Sequence, residues 1–145
     1  MFVKDILAGK ASGEIYSVSK SDSVSHAAEM LSKHRIGAVI VREGRGPVEG
    51  IMSERDIVRE LGKRGTGCLN DKVADLMTSE VTTCTPSDNV QEVMTKMTKG
   101  RFRHVPVIDG GKLTGVISIG DVVAARIKEV EQENGVMLEL ITGQF

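Results

Sequence analysis

Gly50-Ile51-Met52-Ser53-Glu54-Arg55-Asp56-Ile57-Val58 and Gly115-Val116-Ile117-Ser118-Ile119-Gly120-Asp121-Val122-Val123 carry one pattern twice in a chain of 145 residues. In each, a Gly leads two apolar residues, a Ser follows, and an Asp stands three positions beyond the Ser. Ser-x-x-Asp after a strand-like run marks a helix start. The hydroxyl accepts from a free N–H of the first turn, and the carboxylate reaches back to the N–H of the capping residue. Outward from this stretch the repetition continues. Ile36 to Val41 aligns with Phe102 to Val107, and Asp22-Ser23-Val24 with Asp88-Asn89-Val90, each pair 66 residues apart. The Ser-Asp stretches are 65 apart, so the first copy holds one extra residue in the preceding turn. Upstream, Val3-Lys4-Asp5-Ile6-Leu7 echoes Val73-Ala74-Asp75-Leu76-Met77. A regular echo of this kind means a duplicated supersecondary unit.

Each copy has the same element order. An extended piece (residues 15–18 and 81–84) ends at turn formers, Ser21-Asp22 or Pro86-Ser87-Asp88. Asp22 or Ser23, and Asp88 or Asn89, can cap the next helix, and Asn89 with Glu92 resembles a capping box. Val24, Ala27, Ala28 and Leu31 then keep helical spacing, as do Val90, Val93, Met94 and Met97. A β-rich run follows (residues 38–41, 104–108), then a Gly-rich hairpin turn and a second strand ending at Ser53 or Ser118. The expected fold is α/β (α+β): tandem β-α-β-β-α repeats, residues 1–65 and 66–128, packed about a pseudo-twofold axis. Gly62 to Asn70 reads as the linker. Residues 129–145 form a C-terminal tail, and from Arg126 to Phe145 the apolar positions Ile127, Val130, Met137, Leu138 and Ile141 suggest a helix or two.

Composition narrows the function. Apolar residues make up 40% and charged residues 27%, so the chain is expected to fold. Aromatics are 3% and the net charge is −1, which speaks against nucleic acid as a partner. No apolar run is long enough to span a bilayer, and the opening residues lack the apolar stretch of a secretory signal. The two cysteines, Cys68 and Cys84, lie outside any metal-binding spacing and read as small buried side chains. A reducing cytoplasm is the expected location.

The doubled Gly-x-x-Ser-x-x-Asp, with Arg103-His104-Val105-Pro106-Val107, resembles a CBS-domain pair, or Bateman module, over residues 2 to 128. Such pairs occur in cystathionine beta-synthase, inosine monophosphate dehydrogenase and the gamma subunit of AMP-activated protein kinase. The resemblance implies a regulatory module, not an enzyme. It would hold adenosine derivatives in clefts between the two repeats: AMP, ADP or ATP, or in some members NAD(H) or S-adenosylmethionine. It also implies a homodimer, an unidentified regulated partner protein, and no metal.

Ser53 with Asp56, and Ser118 with Asp121, admit two readings. One is a helix cap alone. The other adds a ligand: the helix N-terminus and the hydroxyl meet a phosphate, and the carboxylate accepts from both hydroxyls of a ribose. The two roles are compatible. Arg103 and His104 open the second strand of repeat two, where the family pattern implies a phosphate contact. Gly37 and Ala38 stand at those places in repeat one and offer no charge. Arg55 is either the cation that replaces it or a surface charge, and the family pattern adds Thr82 as a nucleotide contact. The cleft holding Asp121, Arg103 and His104 is therefore expected to bind phosphate-bearing ligands more tightly.

Other signals are set aside. Gly44 to Gly50 lies between two strands, so it reads as a hairpin turn and not as a dinucleotide loop. His26 and His34 lack companions for a metal site. Neither Ser53 nor Ser118 has the partners of a nucleophile. Met30, Met94 and Met97 read as core residues. Two rival readings remain: an interaction scaffold with no physiological ligand, and an enzyme acting on a nucleotide, for which no acid/base pair, metal set or activated nucleophile can be assembled from the sequence.

Overall fold

The structure, a computed structural model, describes residues 1–10 and 14–142, with side chains through Asn134. Its elements in chain order are α1 (Val3–Gly9), β1 (Ser17–Val18), α2 (Val24–His34), β2 (Ala38–Val41), β3 (Gly50–Ser53), α3 (Glu54–Arg64), a 3-10 helix (Gly65–Asn70), α4 (Val73–Leu76), α5 (Val90–Gly100), β4 (His104–Asp109), β5 (Lys112–Ser118) and α6 (Ile119–Thr142). The chain divides into two compact units that do not follow the sequence repeats. One comprises residues 1–13, 83–109 and 115–145; the other comprises residues 14–82 and 110–114.

In the second of these units, β1, β2 and β3 form a three-stranded sheet in that order. β1 runs parallel to β2, with Val18 opposite Val41, and β3 is antiparallel to β2, with Ala38 opposite Ser53. β1-α2-β2 is thus a βαβ unit, because parallel neighbours need a crossover. α2 starts where Ser23 Oγ accepts from His26 N–H at 3.1 Å. Its face of Val24, Ala27 and Leu31 packs with Val18, Val39, Val41, Met52, Ile57 and Val73 in one buried cluster.

The second repeat follows the same plan with less regular strand. β4 and β5 form a two-stranded sheet joined by Gly110 and Gly111, both at positive φ (57° and 81°), the hairpin geometry that glycine permits. Only Cys84, bridged in parallel to Val107, represents the strand expected over residues 81–84. Asn89 caps α5 by accepting from Gln91 N–H at 2.8 Å, without the box expected with Glu92. Val90, Val93 and Met97 bury against Val105, Val107, Ile117, Val122 and Ala125. Met30 and Met94 are partly buried at the edges of their clusters, and Met97 is fully enclosed.

The leading segments cross over. Val3 and Ile6 of α1 join the core built by the second repeat, and Val73 of α4 joins that of the first. Backbone pairing is equivalent at both places. Val3 N–H donates to the carbonyl of Asp88 (2.9 Å), and Val73 N–H to that of Asp22 (2.8 Å). Each short helix starts with an Asp carboxylate accepting from the preceding backbone, Asp5 from Phe2 N–H (2.8 Å) and Asp75 from Lys72 N–H (3.2 Å). The glycines that open the two quoted stretches admit these segments. A Cβ on Gly115 would lie 2.7 Å from Leu7 Cδ2, and one on Gly50 would lie 2.7 Å from Met77 Sδ and 2.9 Å from the Thr78 carbonyl.

The linker expectation needs correction. Gly62 to Asn70 is helical throughout: its first residues finish α3, the rest is the 3-10 helix, and Cys68 within it is fully buried. Apolar burial draws this stretch into the fold, where composition alone suggests a linker. The tail is helical through Thr142, as expected, and forms the end of α6, which runs unbroken from Ile119; the side chains of Met137, Leu138 and Ile141 lie outside the described residues. Met97→Ala empties a fully enclosed site and is expected to cost about 2–5 kcal/mol of unfolding free energy. Urea denaturation at unchanged slope reads this, and a loss well under 1 kcal/mol would contradict close packing around Met97.

Candidate functional site

Both Ser-x-x-Asp motifs sit where a strand runs directly into a helix, β3 into α3 and β5 into α6. Each forms the reciprocal cap. Ser118 Oγ accepts from Asp121 N–H at 3.1 Å, while Asp121 Oδ2 accepts from Ser118 N–H at 2.9 Å. Ser53 Oγ accepts from Asp56 N–H at 3.3 Å, and Asp56 Oδ2 accepts from Ser53 N–H at 2.9 Å and from the Ser53 hydroxyl at 3.1 Å. The capping reading of these residues is therefore realised, and any ligand role is added to it.

The entry to the neighbouring strand is tied to the same helix start. Ile119 N–H, the first of α6, donates to the Arg103 carbonyl at 2.7 Å, and Glu54 N–H, the first of α3, donates to the Gly37 carbonyl at 2.9 Å. Arg103 and Gly37 are thus fixed beside Ser118-Asp121 and Ser53-Asp56 by backbone, whatever their side chains. The Arg103 side chain is exposed and has no partner among the described residues. His104 is half-buried at the start of β4 and is engaged by a neighbour. Ala38 opens β2 directly opposite Ser53. Arg55, in the first turn of α3, is exposed and unpaired among the described residues, as is Thr82, which lies outside regular structure. Among the described residues, no hydrogen bond links Thr82 to either cap.

The two carboxylates differ in what balances them. Asp56 is enclosed, its side chain 11% exposed, and both oxygens are taken because Arg59 donates to Oδ1 at 2.6 Å. Asp121 is 27% exposed, and only Oδ2 is engaged; Oδ1 has no partner among the described residues. Its second donor is Lys10 Nζ at 3.0 Å, a residue sequence reading missed. Lys10 stands 111 positions away, and no motif links it to Asp121. Burial raises the Asp121 pKa, but the Ser118 N–H and the Lys10 ammonium outweigh it, and the carboxyl lies below its usual value.

In the hydrogen bonds given above, the two serine hydroxyls pair with the aspartates of their own caps. Among the described residues, no cluster of three or more His, Cys, Asp or Glu could hold a metal ion, and no helix is long and apolar enough to cross a membrane. His34 stacks on Tyr16 with centroids 3.8 Å apart, and His26 lies 4.0 Å from Asp22. Both cysteines are buried, and burial pushes the Cys84 thiol up to about 11.

Comparison with known proteins adds the following. The family model for the CBS domain matches residues 3–63 and 73–128. A CBS-domain containing protein from Agrobacterium tumefaciens, ATU1752, is 44% identical, with a TM-score of 0.82 over 87% of this chain and 99% of that one. The CBS domain pair of protein MJ0100, solved with 5′-methylthioadenosine and S-adenosyl-L-methionine, is 26% identical, with a TM-score of 0.76 over 89% and 98% of the two chains. The CBS domain protein PAE2072 from Pyrobaculum aerophilum, solved with AMP, is 27% identical, with a TM-score of 0.72 over 83% and 89%.

Because the Asp121 pKa is lowered on folding, its contribution to stability is present above the unfolded value, about 3.9, and is lost as pH falls through the lower folded value. Wild type is therefore expected to exceed Asp121→Asn in stability at neutral pH and to lose that margin at the acid end. Urea unfolding of both proteins across the range measures it. A margin that persists undiminished in acid would show that charge is not its source.

Proposed function

The chain belongs to the CBS-domain family, and on that premise we propose that it is a regulatory module that binds an adenine nucleotide without turning it over. AMP is the preferred ligand; ADP, ATP, NAD(H) and S-adenosylmethionine share its adenosine part. The observation that carries this reading is Asp121. It is a carboxylate at a helix N-terminus, partly open to solvent, with Oδ1 unclaimed among the described residues; the Arg103 backbone is tied to the same helix start through Ile119 N–H, and its side chain is exposed and without a partner among the described residues. A carboxylate accepts the two hydroxyls of a ribose, and a guanidinium meets a phosphate in a bidentate, charge-assisted way. That two relatives hold adenosine compounds supports the same class of ligand here.

In this reading Ser118, Asp121, Arg103 and His104 form the stronger nucleotide site, with Asp121 on the ribose and Arg103 on the phosphate. Ser53, Asp56, Arg55, Gly37 and Ala38 form a second and weaker one. Asp56 has both oxygens occupied, and Arg55 is the cation available for phosphate. Thr82 is a further proposed contact through its hydroxyl. The module acts by changing the behaviour of a partner protein, in the cytoplasm, and works as a homodimer. Val123, Ile127 and Val130, at helical spacing on α6, are 39%, 54% and 40% exposed, an apolar stripe that a second copy would bury.

Calorimetry with AMP, ATP, NADH and adenosine tests the ligand. Asp121→Ala is expected to weaken AMP at least about tenfold, the usual worth of a hydrogen bond to a charged group. Arg103→Ala should weaken AMP and spare adenosine. All added nucleotide should be recovered unchanged. Failure of every ligand to bind wild type at millimolar concentration removes the proposal. Light scattering should give a dimer mass, and monomer alone at micromolar concentration with and without AMP would exclude the homodimer.

A further inference from the structure

The Asp121 carboxylate that the nucleotide reading depends on already has a tenant. Lys10 Nζ donates to Asp121 Oδ2 at 3.0 Å and to the Val116 carbonyl of β5 at 2.8 Å. One ammonium therefore occupies both a carboxylate oxygen and a strand-edge carbonyl at the start of α6. The two side chains are 33% and 27% exposed, so this pair can be reached from solvent.

The fold does not require such a pair. In the other unit, Ile51 stands where Val116 does, and its edge is closed by backbone. Ile51 N–H donates to the Thr78 carbonyl at 3.0 Å, and Thr78 N–H donates to the Ile51 carbonyl at 2.9 Å. The carboxylate there is balanced by Arg59 of its own helix, whose counterpart beside Asp121 is Ala124. Where the first leading segment has Lys10, the second has Glu80. The same cap and strand are thus built once with the intruding ammonium and once without it. Lys10 is an addition to this site, not a condition of its folding.

We propose that Lys10 is a second specificity-determining residue of the Asp121 site, beside Arg103, holding the carboxylate while the site is empty and passing to the phosphate of an incoming nucleotide. The inference rests on the nucleotide reading and deepens it, since it names why a phosphorylated adenosine is preferred. Ribose hydroxyls and an ammonium are all donors, so a ribose that bonds both carboxylate oxygens, Oδ1 and Oδ2, competes with Lys10 for Oδ2. A ligand without phosphate has to separate a charge-assisted pair and leaves the ammonium to water alone. A ligand with phosphate gives it a new anion. The Lys stem has four flexible carbons, and the ammonium can move without backbone change. Room for that motion exists: Lys10 lines an open groove of ≈ 1290 Å³, with Ile6 and Gly9 on its own side and Asp121, Ala124 and Ala125 on α6.

The test compares AMP and adenosine by calorimetry on the full chain, as wild type, Lys10→Met and Lys10→Arg. In Lys10→Met the preference for AMP over adenosine should fall at least about tenfold, mainly because adenosine binds more tightly once its competitor is gone. Lys10→Arg keeps the charge and should keep the preference. A second measurement needs no variant: the nitrogen resonance of the Lys10 ammonium in wild type should shift when AMP saturates the site. An unchanged AMP preference in a folded Lys10→Met, or an unmoved Lys10 resonance, overturns the proposal and leaves nucleotide binding standing. Absence of binding by both ligands to wild type overturns the nucleotide reading, and this inference with it.

Discussion

Neither compact unit completes its core from the repeat that supplies its sheet. Val3 and Ile6 lie among the buried residues of the second repeat, and Val73 among those of the first. Much of the local geometry follows from this exchange. The leading segment lies along the outer strand, so the residue that opens the strand must lack a side chain, and Gly50 and Gly115 meet that demand. The same course brings the end of α1 to the start of α6, which is why Lys10 can reach Asp121. A half of this size buries too little apolar surface on its own sheet and helices alone. Borrowed segments enlarge each core without lengthening either repeat.

The duplicated caps show how one backbone arrangement supports two chemistries. Both serines and both aspartates make the reciprocal bonds, and both helix starts are anchored to the strand entry, through Arg103 or Gly37. These are backbone demands, met identically. The counter-charges differ because they are side-chain matters. Arg59 seals Asp56 from within its helix, whereas Lys10 reaches Asp121 from a distant segment and leaves Oδ1 unclaimed among the described residues. An enclosed, doubly bonded carboxylate is a structural group first. One that is partly open and lightly held is better placed to exchange partners with a ligand.

Local pattern made most of the fold readable. Turn residues, helical spacing at Val24 to Leu31 and Val90 to Met97, and the Ser-x-x-Asp caps are all interactions within a few residues, so composition and spacing report them directly. β2 begins and ends at the residues expected, Ala38 and Val41. Where the pattern misled, longer-range burial had prevailed. Gly62 to Asn70 has linker composition yet is helical, with Cys68 enclosed, and the strand expected over residues 81–84 is reduced to one bridge at Cys84.

By itself the sequence determined the duplication, the helix starts and the candidate carboxylates, because each depends on neighbours in the chain. Only the tertiary structure decided which carboxylate is open and which is sealed. Arg59 is three residues from Asp56, but an exposed Arg at that spacing predicts a weak surface pair as readily as a seal. Lys10 and Asp121 are separated by 111 positions, and no spacing rule connects them. Their meeting depends on where the exchanged α1 ends, which is fixed by the burial of Val3 and Ile6 and by the close approach that Gly115 allows.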